Sequence, residues 1–207
     1  MATTTAPLFG LDASGSLAKS IVFSKWKGRT YVRRHAIPSN PKSGLQVGMR
    51  SMLKFVTQNY ASLSATIKGH WATAAKSSNI TALNEQVRKC QVNARINKGA
   101  IQDPTAVAGT TPNAPASLAI TAQPKSLVVT WTHPASNPGN YTAMVWMSKT
   151  TGFTPDVSTL VAVVTQATLT IQIPDLVTGT PYYFRVAETN TDGTIGALVA
   201  QQTGTPT

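Results

Sequence analysis

Seven short apolar-rich runs crowd the last hundred residues, and no other feature limits the fold of this chain as much. They read SLAITA, SLVVTWTH, YTAMVWMSK, TLVAVVTQ, ATLTIQIP, PYYFRVAETN and ALVAQQTG, with Pro, Gly, Asn and Asp between them. Runs of this length suit strands and are too short for self-sufficient helices. Seven strands at near-regular spacing over about 100 residues are the pattern of an antiparallel β-sandwich. An all-β domain is therefore expected over residues 113–207.

Ahead of it, AIQDPTAVAGTTPNAPA brings Pro104, Gly109, Pro112 and Pro115 in quick succession with almost no charge. Proline fixes φ and stops a helix, so residues 101–112 read as a semi-extended Pro/Gly-rich linker. Residues 1–100 then form a separate, small α+β module. LAKSIVFS and TYVRRHAI flank KWKGR as two β-prone runs, a hairpin in which Gly28 can supply a positive φ. From Leu45 the apolar period becomes helical. Leu45, Met49, Met52, Val56 and Leu63 form one stripe, with Phe55 and Tyr60 widening it. Ser64 is placed to cap a second helix bearing Ile67, Trp71 and Ala75. A third helix carries Leu83, Val87, Cys90 and Ala94, with Gly99 as its C′ residue. The expected fold is a β-hairpin plus about three helices, followed by the sandwich. A core as small as that of the first module is expected to lean on neighbours for stability.

Charge divides the chain at the same place. Residues 1–100 hold fifteen Lys and Arg against Asp12 and Glu85, a balance of +13, whereas residues 101–207 come to −2. No acid occurs from Ala13 to Asn84. Such asymmetry points to two modules with different partners, the basic one facing negative charge. A single cysteine, Cys90, excludes an internal disulfide or a multi-thiolate metal site, and it reads as a small core residue. No apolar run approaches the roughly 20 residues of a membrane helix. MATTTAPLFGLD has neither the basic nor the apolar region of a secretion signal, so synthesis and folding in a cytosol are expected.

Two resemblances follow from spaced residues. Gly-x-x-x-x-Gly, then IVFSKWKGRTYVRRHAIPSNPKSGLQ, a helix with Met49-Arg50 and Trp71 in a second helix together resemble small basic structural proteins of tailed bacteriophages. Ser43-Gly44-Leu45-Gln46 departs from that pattern, where a Thr-Pro-x-Gln helix start is expected. In the other half, Pro112 and Pro115 precede the first strand and Leu127-x-x-x-Trp131 follows. Leu176-x-x-Gly179-Thr180-x-Tyr182 and Val186-x-x-x-Asn190-x-x-Gly193 complete a pattern that resembles a fibronectin type III domain, with Thr178 in place of the usual proline. The resemblance implies that Trp131 fills the inter-sheet core and that the Tyr182 hydroxyl bonds backbone at the corner. Trp71 is assigned to the core of the first module.

The chemistry-bearing residues each have a plain structural reading beside the functional one. His133 lies in a Trp-Thr-His-Pro turn, and His35 and His70 stand in the basic half without an acid near in sequence. No phosphate-binding glycine loop, HExxH or CxxC is present, and only seven acids are available for carboxylate chemistry. The expectation is a non-enzyme with no cofactor, no catalytic residue and no metal site. The one constellation that calls for a partner is Lys25, Trp26, Lys27, Arg29, Tyr31, Arg33 and Arg34 on the hairpin. An acid-free cluster of this kind can grip carboxylates on a partner protein or phosphates on nucleic acid, with Trp26 and Tyr31 as anchors or stacking platforms. With the phage resemblance, the reading is a virion structural protein made in the host bacterial cytoplasm. It docks on other virion proteins, the capsid lattice first among them, in many copies that turn weak contacts into firm attachment. Rival readings are a tail, neck or baseplate component, a nucleic-acid-binding protein, and a glycan-binding adhesin with weak contacts near Trp146 or Tyr141. No membrane partner is expected.

Overall fold

The computed structural model describes residues 2–3, 15–17, 20–26, 29–37, 39–107, 109–137 and 142–207. The chain forms two compact units, Met1–Pro41 and Lys42–Thr207.

In the first unit, β1 (Ala2–Thr3), β2 (Gly15–Leu17), β3 (Ile21–Trp26) and β4 (Arg29–Arg34) form an antiparallel sheet in the order β1-β4-β3-β2. The expected hairpin is its centre, with Ile21 paired to Arg34 and Trp26 to Arg29. Lys27 and Gly28, between the two strands, lie outside the described residues.

The second unit begins with three helices: α1 (Gly44–Asn59), closed by the single 3₁₀ turn Tyr60–Ser62, α2 (Ala65–Lys76) and α3 (Ala82–Arg95). Local chemistry sets their ends. The Ser64 hydroxyl accepts from the Ile67 N–H at 3.3 Å and the Thr81 hydroxyl from that of Asn84 at 3.3 Å, each satisfying a first-turn donor. α3 stops earlier than its sequence implies. Asn97 takes the left-handed conformation, φ 54°, that Gly99 was expected to supply. Gly99 has a different task. A Cβ there would overlap the Thr189 side chain, and the Gly99 N–H donates to the Gly193 carbonyl at 2.8 Å.

Among the described residues seven strands follow: β5 (Ala116–Gln123), β6 (Ser126–Thr132), β7 (Thr142–Ser148), β8 (Leu160–Thr165), β9 (Thr170–Ile173), β10 (Tyr182–Thr189) and β11 (Gln202–Gly204). They make two antiparallel sheets, β11-β10-β7-β8 and β5-β6-β9, packed face to face. Between them Leu127, Val129, Trp131, Val145, Tyr182, Phe184 and Val186 form a closed core. The Val177 N–H donates to the Tyr182 hydroxyl at 3.1 Å and pins the corner.

A second core lies on the outer face of the four-stranded sheet. Met52, Phe55 and Val56 of α1 and Cys90 and Ala94 of α3 pack against Met144, Trp146, Leu160, Val163 and Ala187. The helices are thus a third layer of the sandwich rather than part of a separate module. The physical reason is β7. Its run Ala143-Met144-Val145-Trp146 is apolar on both sides of the pleat, and both faces are buried. Residues 101–112 are correspondingly not a free tether. The Gln102 N–H donates to the Thr191 carbonyl at 2.9 Å, the Trp71 indole N–H to the Gln102 carbonyl at 2.8 Å, and the Ala197 N–H to the Pro112 carbonyl at 3.0 Å. Low charge and repeated proline gave this stretch the composition of a linker. Its backbone groups instead join the helices to the loop after β10, and the compact units part at Pro41.

Candidate functional site

The hairpin positions the basic cluster, and its pleat sorts the members. Along a strand, alternate residues share a face about 7 Å apart, and directly paired residues on neighbouring strands share that face too. Arg29, Tyr31 and Arg33 therefore form one row on β4, backed by Ser24 and Val22 across the pair. Lys25 and Arg34 fall on the opposite face, with Phe23, Val32 and the buried Thr30. Of Trp26 the backbone alone is described, opposite Arg29 in the register, and Lys27 lies outside the described residues. The sequence cluster thus resolves into an Arg-Tyr-Arg row and two cations turned away from it. Arg29 and Arg33 are exposed and Tyr31 is half-buried. No carboxylate among the described residues comes within ion-pair distance of Arg29, Arg33 or Arg34. Two guanidinium forks flanking an aromatic edge can bind a line of carboxylates or phosphates bidentately.

The remaining assigned residues sit inside the second unit. Trp71 is fully buried, and Trp131 and Tyr182 are each 3% exposed. Cys90 is also fully buried, its Sγ 3.3 Å from the Ile101 N–H that donates to it, and burial pushes its thiol pKa up to about 12. Such a thiol is inert at neutral pH. Trp146, near which the glycan-adhesin reading places its contacts, is 3% exposed beneath the helices, so its ring face is not open to solvent. Tyr141 lies outside the described residues.

Two histidines have acids that the sequence order hides. His70 Nδ1 is 3.0 Å from Asp103 Oδ1 and 3.1 Å from the Thr105 hydroxyl, which itself donates to Asp103 Oδ1 at 2.8 Å. Burial raises the Asp103 pKa, but the Thr105 N–H and hydroxyl and His70 outweigh it and hold the carboxyl below its ordinary value. A hydrolytic triad needs hydroxyl and carboxylate on opposite ring nitrogens. Here both meet Nδ1, so the group ties α2 to the segment after Gln102. His133 Nδ1 is 2.8 Å from the buried Glu188 Oε1, and among the described residues its Nε2 faces the Asn137 carbonyl and the Gln166 amide. Asn137 donates to Glu188 Oε2 at 2.8 Å and accepts from the Asn113 N–H, so both carboxylate oxygens are satisfied. These 33- and 55-residue separations leave no local sequence signal. Among the described residues no group of three or more His, Cys, Asp or Glu could hold a metal ion, and no helix is long and apolar enough to cross a membrane.

Comparison with known proteins places the sandwich. Residues 113–198 match the fibronectin type III domain family. Among solved structures, the chain is similar to the fibronectin type III domain of the human collagen alpha-1(XX) chain. That match has 24% identity and a TM-score of 0.38, and covers 49% of this chain and 90% of that one. It is also similar to the β-1,2-glucanase from Parabacteroides distasonis, with 18% identity, TM-score 0.41, and 50% of this chain against 14% of the glucanase. The sixth such domain of human fibronectin type III domain containing protein 3 is 19% identical, with a TM-score of 0.39 over 48% of this chain and 91% of that one. No curated protein matches the chain.

Proposed function

We propose that this chain, a helix-backed fibronectin type III domain preceded by a basic hairpin, is a non-enzymatic structural protein of a tailed-bacteriophage virion. It attaches to an assembled lattice of other virion proteins, the capsid surface as a decoration or accessory head protein, and displays the sandwich from it. The observation that carries the docking role is the Arg29-Tyr31-Arg33 row, which meets no described carboxylate. The phage assignment rests on the Lys-x-Lys-Gly to Pro-x-Asn-Pro string of residues 25–41. Many copies on a symmetric shell multiply a weak contact, so a row of two arginines and one tyrosine is enough for stable attachment. Virion proteins are the preferred partner over nucleic acid because the row is short. Six neutralised phosphates would give a log–log salt slope of about −5, and this face offers two cations.

The test is mass spectrometry of purified particles after separating DNA-free heads from tails. Recovery with empty heads in stoichiometric amounts is expected. Recovery with tails would move the address to the tail, neck or baseplate, and absence from both would overturn the virion reading. Within such particles, Arg29→Glu with Arg33→Glu should release the protein, whereas Arg34→Glu, on the other face, should leave occupancy near wild type. Equal retention of the double variant and of Arg34→Glu would remove the row as the docking element.

A further inference from the structure

A cleft of about 220 Å³ opens between the C-terminal end of α3 and the outer face of the four-stranded sheet. Trp146 and Met144 of β7 and Leu160 of β8 line it, with Ala94 of α3 and Ile195 and Leu198 from the segment after β10. The lining is overwhelmingly apolar. Such a volume is below the roughly 300–1,000 Å³ of a typical small-molecule pocket and suits one large side chain. Of these lining residues Leu198 is 38% exposed, so the cleft is open to solvent on that side. Arg95 and Lys98, both exposed, bracket Asn97, which lines the cleft. Neither cation meets a carboxylate among the described residues. One acid, Asp156, does line the opposite wall. Its Oδ1 is already engaged by the Ser158 and Thr159 N–H groups and the Ser158 hydroxyl. Negative charge on a ligand is thus favoured on the α3 side alone.

We propose that this cleft is a second docking site, which takes one large apolar side chain from an acidic segment of a partner protein. The anchor enters beside Ile195 and Leu198, and flanking carboxylates of the segment meet Arg95 and Lys98. This is the arrangement of an interface hot spot, a desolvated apolar anchor ringed by charge. The site lies wholly in the second compact unit and does not depend on the hairpin reading.

The test is selection of a randomised twelve-residue peptide library on the immobilised full chain, with bare support as the control. The expected consensus is one Leu, Ile, Phe, Met or Trp flanked by Asp or Glu. Binding of such peptides should fall about tenfold or more in Leu198→Glu, which sets a carboxylate at the mouth, and in the double variant Arg95→Glu with Lys98→Glu. Arg29→Glu with Arg33→Glu should leave it unchanged. All of these positions are at least partly exposed, so the variants should melt within a few degrees of wild type, which separates lost binding from lost folding. No enrichment over the bare support, a consensus without acids or without the apolar anchor, or peptides insensitive to both cleft variants would each overturn the site.

Discussion

Gly48 sits where α1 touches the loop before β8, and a Cβ there would overlap the Val157 carbonyl oxygen. Gly44, one turn earlier, meets the Ser158 carbonyl in the same way. Backbone on both sides leaves nothing flexible to yield, so the helix would have to lift from the sandwich. Gly48→Ala should therefore destabilise the protein by about 1–3 kcal/mol, against the helix propensity it gains. Gly69 in α2 is the internal control, since nothing lies within 4 Å of its added Cβ. Gly69→Ala should be neutral or stabilising by up to about 1 kcal/mol. Urea denaturation of the two variants checks the pair, and equal effects would mean that α1 does not rest on this loop. The same scale shows why sequence spacing misjudged single residues. Leu45 belongs to the apolar stripe by period yet is 52% exposed, because the glycines beside it, not the leucine, make the contact. His70 looked acid-free because its partner, Asp103, is supplied by the chain after α3.

At the scale of elements, β7 decides how much of the molecule is core. In a two-layer sandwich with a wet outer face, the strand would alternate apolar and polar. Met144 and Trp146 break that alternation, and the structure covers them with α1 and α3. Trp146→Ala should then cost about 3–5 kcal/mol, comparable to Trp131→Ala in the inter-sheet core. If Trp146 were an ordinary surface residue, the change would stay within about 0.5 kcal/mol. Chemical denaturation of both variants separates the two cases. Much of the element list was legible: the hairpin from its period of two, the three helices from their stripes and caps, and the seven strands from runs bounded by turn residues. The helix-to-sheet packing was less so, although the unbroken Ala-Met-Val-Trp run carried its one signal. Periodicity shows that a face is apolar without naming what covers it. The basic cluster was legible as composition, but the division of Arg29, Tyr31 and Arg33 from Lys25 and Arg34 became visible once the register was fixed.

For the whole molecule, the shared core makes the charge boundary near residue 100 a poor guide to cooperativity. Charge is a property of the surface, and the helices and the sandwich differ there while burying Met52, Phe55, Cys90, Trp146 and Leu160 together. The segment that joins them adds backbone hydrogen bonds from Gly99 to Gly193 and from Gln102 to Thr191. Neither layer can open without exposing the other's apolar face, so residues 42–207 should unfold as one unit. Hydrogen exchange on the full chain reads this directly. Amides of α3 and of β7 should share one opening free energy. Leu160→Ala, a substitution in the sandwich, should lower both by the same amount, about 2–5 kcal/mol. If α3 exchanged at a much lower opening energy than β7, or if Leu160→Ala moved β7 alone, the helices would be an appendage. The sandwich would then be displayed on its own, with its outer face bare whenever they opened.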